Sequence, residues 1–224
     1  TQEVAYDSLL LRQRKALHQA AGLAIEEIYD GRLEEQLELL TFHYSRAENW
    51  AKAVTYGREA AEKASRLGRF AEAVAMLEQA EAWSSKLEHG TERDQQTIQI
   101  LLAQERHCET LGMRERQQAL IDRVFSLLPS TADQSLLAET LVRQAELRTL
   151  LGHFDEAEAA LDRALSIRRA QSDLKGERVV LRTMGFLHWR QGRYEDAVAC
   201  VKTAQSIDLN QNDSNAYAKD LTSL

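Results

Sequence analysis

The stretch Gln191-GRYEDAVACVKTA-Gln205 decides the reading of this chain, because its pattern recurs without gaps as Leu151-GHFDEAEAALDRA-Leu165 and Leu67-GRFAEAVAMLEQA-Glu81. Each copy has a glycine, an aromatic residue two positions on, an alanine five on, a bulky residue nine on and an alanine twelve on. The sets are Gly192, Tyr194, Ala197, Val201 and Ala204; Gly152, Phe154, Ala157, Leu161 and Ala164; and Gly68, Phe70, Ala73, Leu77 and Ala80. A degenerate copy surrounds Trp50, Ala53 and Ala60, with Glu48 in the glycine position. Another starts at Gly112 and continues through Ile121 and Val124, with Arg114 and Gln117 in place of the aromatic residue and the alanine. Gly112, Gly152 and Gly192 are spaced by 40 residues. Leu101, Leu141 and Leu181 each stand eleven residues before one of them, as Leu37 does before Glu48.

Glycine adopts the left-handed conformation that ends a helix and begins a tight turn. The aromatic and bulky residues recur near helical spacing and share one buried stripe. The alanines remove bulk where two helices approach closely. Each unit is therefore a helix, a short turn and a second helix. One such hairpin cannot bury its own apolar face, so neighbours stack into a solenoid.

On these residues the chain resembles the tetratricopeptide repeat (TPR) family in a 40-residue form, over residues 32–211. The resemblance implies an all-α fold, a right-handed superhelical solenoid of TPR-like helix-turn-helix hairpins. Residues 1–31 are expected as a leading helical segment. The repeats are expected at about 33–87, 92–130, 134–172 and 175–211, and residues 212–224 as the start of a further, truncated repeat. The expected helices run over about 3–28, 33–47, 50–67, 70–87, 92–111, 115–128, 134–151, 154–170, 175–191, 194–208 and from 214 to the end. Helix 50–67 serves two hairpins, as partner of 33–47 and of 70–87. Pro129 is expected to follow the second helix of its unit.

The opening segment is similar to the stretch that follows the ATPase module in STAND-type signalling proteins, including those in which a class III adenylate or guanylate cyclase precedes it. The residues that carry this are the Glu3-VAYDSLL start, Leu17-His18, and the run of Leu37, His43, Tyr44, Trp50 and Ala53. It implies that the chain is a piece of a longer protein, with a nucleotide-binding module upstream.

Composition narrows the function. The chain has 224 residues, a net charge of -7, one proline and two cysteines. One proline fits long helices. Cys108 and Cys200 cannot make a disulfide framework, which points to free thiols in the cytoplasm. No apolar run approaches the roughly 20 residues of a membrane span, so no membrane contact is expected. The acidic balance opposes nucleic-acid binding, which needs clustered basic residues.

Motifs for chemistry do not emerge. There is no phosphate-binding loop, no H-E-x-x-H helix and no G-x-S-x-G elbow. No catalytic residue, cofactor or metal is expected, and the chain is not expected to be an enzyme. The histidines are scattered, and His107 beside Cys108 lies on a different helix face. His188 reads as a packed histidine with one hydrogen bond, and Cys200 as a small half-buried thiol. Asp208, Asn210 and Asn212 alternate like a calcium loop, but Asp213 stands where glycine is needed and Lys219 where a bidentate glutamate is. Arg12, Arg14 and Lys15 form a small basic cluster that either docks an acidic neighbour or is ordinary surface charge.

The candidate binding residues follow from the resemblance, which places the first helix of each hairpin on an inner, concave surface. They are Arg106, Glu109, Arg143, Glu146, Arg182, Phe186 and Trp189. Phe186, Glu146 and Arg106 stand where the carboxylate clamp of chaperone-binding TPRs has asparagine, which opposes chaperone-tail binding. Phe186 and Trp189 read equally as filling against the next unit. The expected function is a protein–protein interaction scaffold or sensor region of a larger bacterial signalling protein. Its partner is a protein or peptide segment, or upstream domains of the same chain. The alternative is a stand-alone TPR adaptor, or the regulatory region of a STAND-type transcriptional activator.

Overall fold

The computed structural model describes residues 11–210, which form helices and short turns with no strand among them. In chain order the helices are α1 (Leu11–Ile28), α2 (Leu37–Arg46) after a 3₁₀ turn at Leu33–Gln36, α3 (Trp50–Arg66), α4 (Phe70–Ser84) and α5 (Thr91–Thr110). Then come α6 (Arg114–Thr131), α7 (Gln134–Leu151), α8 (Phe154–Ala170), α9 (Leu174–Arg190) and α10 (Tyr194–Asn210). The Glu3-VAYDSLL start, the calcium-like alternation beyond Asn210 and the helix expected from 214 lie outside the described residues.

The turns repeat one geometry. Gly68, Gly112, Gly152 and Gly192 have φ of 74, 71, 81 and 77°, all left-handed. After Gly192 the Arg193 N–H reaches back to the His188 carbonyl at 2.9 Å, and after Gly152 the His153 N–H reaches Arg148 at 2.9 Å. These bonds occupy carbonyls that a helix end would otherwise leave open. Glu48, in the glycine position of the degenerate copy, adopts the same conformation with φ 58°. There the Asn49 N–H closes on the Tyr44 carbonyl at 3.0 Å. Several helices open on side-chain caps. Asn49 accepts from the Lys52 N–H, Asp133 from Ser135 and Leu136, and Asp173 from Gly176. Such caps contribute about 1 kcal/mol each.

Pro129 departs from expectation, because α6 passes through it to Thr131. A proline near a helix end forfeits one backbone bond without breaking the helix. The chain reverses instead at Ala132, which takes φ 50°. At the other boundaries, α4 ends at Ser84 rather than 87, and α2 is preceded by a 3₁₀ turn.

Two compact units divide the chain, Thr1–Arg123 and Val124–Leu224. In the first, α1 packs on α2, α2 on α3, α3 on α4 and α4 on α5. Helix α3 therefore has partners on both sides, as its double role in the sequence requires. Leu40, Tyr44 and Ala53 form one core cluster, and Val54, Ala61, Ala64, Ala73, Leu77, Ala80 and Ile100 another. In the second unit α7 packs on α8, α8 on α9 and α9 on α10. Their shared core includes Leu141, Ala145, Ala157, Leu161, Ala164, Val180, Leu181, Leu187 and Ala204. The alanines at helix crossings are buried: Ala73 and Ala157 are fully enclosed and Ala197 is 3% exposed.

Candidate functional site

Helix α9 carries the most distinctive face. Val180, Leu181, Thr183, Gly185, Leu187 and His188 are buried. Gly185 is small because α10 crosses it. A Cβ there would lie 3.2 Å from Val201 Cγ2 and 3.4 Å from the Ala197 carbonyl oxygen. His188 is 5% exposed, with Nδ1 3.3 Å from Gln191 Oε1, which is the packed histidine its spacing indicated.

Phe186 and Trp189, on the same helix, are 41% and 55% exposed. Their rings stack with centroids 5.9 Å apart and planes 26° apart, and the Arg190 guanidinium sits 6.0 Å over the Phe186 ring. Arg182 is half-buried on the same helix. Two stacked aromatic rings held in water by a buried helix face form an apolar, flat platform edged by cationic groups. Aromatic and Arg side chains are the types most enriched at binding hot spots.

The remaining candidates are placed differently. On α7, Arg143 Nη1 and Glu146 Oε2 form an ion pair at 2.8 Å. This pair answers its own charges and leaves less for a ligand. On α5, in the first unit, Arg106 is exposed and its Nε donates to the Leu102 carbonyl at 3.4 Å. Glu109 is half-buried, and its carbonyl accepts from Arg114 Nη1 at 3.4 Å. Lys15 of the basic cluster pairs with Glu48 at 2.5 Å.

The first unit contains features that the sequence reading passed over. Lys52 Nζ donates to both oxygens of Glu26, at 2.8 and 2.6 Å, and to the Tyr44 hydroxyl at 3.1 Å. The Tyr56 hydroxyl donates to Glu26 at 2.5 Å, and the two tyrosine rings stack at 5.6 Å. Burial opposes ionisation of Glu26, yet the hydrogen bonds from Lys52 and Tyr56 hold its carboxyl below the usual range. Burial likewise opposes the Lys52 charge, and its bonds to Glu26 and Tyr44 raise it above the usual value. This network fastens α1 to α2 and α3. Its donors lie on α3 and its acceptors on α1 and α2, so only the fold brings them together.

Cys108 is buried and Cys200 half-buried, both as free thiols, and burial raises both above the usual thiol value. A thiol so placed is a poor nucleophile. Among the described residues no group of three or more His, Cys, Asp or Glu could hold a metal ion. No helix among them is long and apolar enough to cross a membrane.

Residues 136–210 and residues 59–79 each match the tetratricopeptide repeat. No curated protein matches the sequence. Among solved structures, BtubC (BKLC) from P. vanneervenii is similar at 17% identity and a TM-score of 0.63, over 92% of this chain and 93% of that one. Aspartyl phosphate phosphatase F from Bacillus subtilis is similar at 12% identity and a TM-score of 0.71, over 89% of this chain and 55% of that one. Nearly identical TPR-like repeats from Podosopora anserina align at 17% identity and a TM-score of 0.62, over 91% of this chain and 97% of that one. At these identities the likeness is one of fold. Repeats of this kind are typically non-catalytic and generally mediate protein–protein interaction. The two matched stretches lie on the glycine-turned hairpins at Gly68, Gly152 and Gly192, and it is these segments that are similar to the tetratricopeptide repeat.

Proposed function

We propose that the chain is the interaction scaffold or sensor region of a larger bacterial signalling protein, acting in the cytoplasm. Its partner segment docks on the Arg182, Phe186 and Trp189 face of α9. The observation that carries this reading is the stacked, exposed Phe186–Trp189 pair on a helix whose other side is closed core. The partner is an extended or helical peptide with apolar anchors and an acidic residue, because the rings offer apolar area and Arg190, over the Phe186 ring, offers positive charge. The signalling context rests on the resemblance of the opening segment to STAND-type proteins, in which an ATPase or cyclase module would lie upstream.

Selection of peptides from a random display library on the wild-type chain tests the reading. The expected winners combine an aromatic or aliphatic anchor with Asp or Glu and bind a Trp189→Ala variant more weakly than the wild-type chain. Winners without acidic residues, or that bind Trp189→Ala as tightly as the wild-type chain, would contradict it.

A further inference from the structure

Helix α3 is shared by two hairpins, so α2 and α4 both lie against it and leave a cleft between them. This cavity has a volume of about 410 Å³. Its floor is Gly57 and Ala60 of α3, both buried, and its walls are Phe42 of α2 with Met76 and Trp83 of α4. Gly57 lets the Trp83 ring pack directly onto α3. A Cβ on Gly57 would stand 3.1 Å from Trp83 Cζ3 and 3.6 Å from Ala80 Cβ. Phe42 is 48% exposed, a large apolar ring turned to the cleft mouth rather than into the core. Clefts of a few hundred Å³ lined by apolar and aromatic groups with a few placed polar ones are the usual form of a ligand site.

The polar groups at the rim are specific. The hydroxyls of Thr41 and Ser45 donate to the carbonyls of Leu37 and Phe42, at 2.7 and 2.9 Å. With their protons committed, these oxygens keep acceptor capacity alone, suited to a peptide N–H. Glu38 is already neutralised by Lys63, whose Nζ lies 3.0 Å from each of its oxygens. Arg46 differs. Its guanidinium lies over the Phe42 ring at 5.6 Å, and no carboxylate among the described residues answers it. Among the described residues the rim thus carries one uncompensated positive charge beside an apolar well. That favours an acidic group on whatever fills the well.

We propose that this cleft is a second docking site, distinct from the α9 face, for a peptide that inserts one aliphatic side chain between Phe42 and Trp83 and sets a carboxylate on Arg46. The site belongs to the first unit alone, so it stands or falls independently of the docking assigned to α9.

The chain has three methionines, Met76, Met113 and Met184, so methyl-labelled protein gives one reporter in the cleft and two outside it. The probes are N-acetylleucine, which has the side chain and the carboxylate, and N-acetylleucine amide, which lacks the charge. The expected result is a saturable shift of the Met76 methyl alone, with the amide binding about threefold more weakly, as for an exposed ion pair. Arg46→Gln, at an exposed position, should bring the acid down to the affinity of the amide. Ser45→Trp should fill the cleft and remove the response to both probes. Equal binding of acid and amide to the wild-type chain would overturn the proposal. So would equal shifts at all three methionines, or no Met76 shift up to the solubility of the acid.

Discussion

His18 Nδ1 and His43 Nδ1 lie 3.0 Å apart, joining α1 to α2 through a hydrogen bond that requires one ring to donate and the other to accept. Two imidazolium rings cannot make this bond, since both would be donors. Burial lowers the pKa of both histidines, and His43 and Arg46 lower that of His18 further. A lowered folded-state pKa means that the unfolded chain binds the proton first. The stability from the neutral pair is therefore complete above about 6.5, the unfolded value, and is lost as pH falls below it. Melting at pH 7.5 and pH 5.5 checks this. The wild-type chain should lose more on acidification than His43→Asn, whereas equal losses would remove the pair from the linkage. Glu26 and Glu38 have lowered values and act in a more acidic window.

Gly22 is buried beneath Tyr44, where an added Cβ would come within 2.7 Å of Tyr44 Cζ and 2.9 Å of Cε1. The ring has no room to yield, because Tyr44 is fully buried, stacked on Tyr56 and bonded to Lys52. Gly22→Ala should therefore destabilise the first unit by about 1–3 kcal/mol despite the better helix propensity of alanine. A denaturant titration reads the loss. A gain in stability would mean that α1 can lift away from Tyr44 without cost.

Ala197 is 3% exposed, and its carbonyl oxygen would be 3.4 Å from a Cβ on Gly185. Ala197→Leu should overpack the α9–α10 crossing and cost about 1–3 kcal/mol. An unchanged melting temperature would place this alanine in solvent.

Ser172 turns the chain between α8 and α9 with φ 54°, a conformation costly to a residue with a Cβ. Ser172→Gly should stabilise the second unit by about 0.5–1 kcal/mol, the strain relieved less the backbone entropy of glycine. Thermal melting decides the sign.

The helix bends were legible because a left-handed turn leaves a chemical trace, as at Gly68, Gly112, Gly152 and Gly192. The double role of α3 was legible because Ala53 and Ala60 fit one copy of the pattern while the helix ends at Gly68, which opens the next. Ala132 was not, because alanine does not advertise φ 50°, and Pro129 drew the helix end too early. Spacing put Phe186 and Trp189 on one face of α9 but left open whether that face meets water or a next unit. The Phe42–Trp83 cleft did not, since it arises only when α2 and α4 straddle α3. The Glu26–Lys52–Tyr56 network likewise links residues that no local pattern relates.

Docking on α9 is tested most directly by the double variant Arg182→Ala with Trp189→Ala, measured against the wild-type chain. A library-selected peptide is titrated into both, and the helical circular dichroism and melting curve of each are recorded alongside. The expected result is at least a tenfold loss of affinity, about 1.4 kcal/mol or more, with helicity and melting temperature retained. Unfolding of the double variant would show that the Arg–Trp face is structural core, and undiminished binding would show that the partner docks elsewhere; either result contradicts the α9 platform.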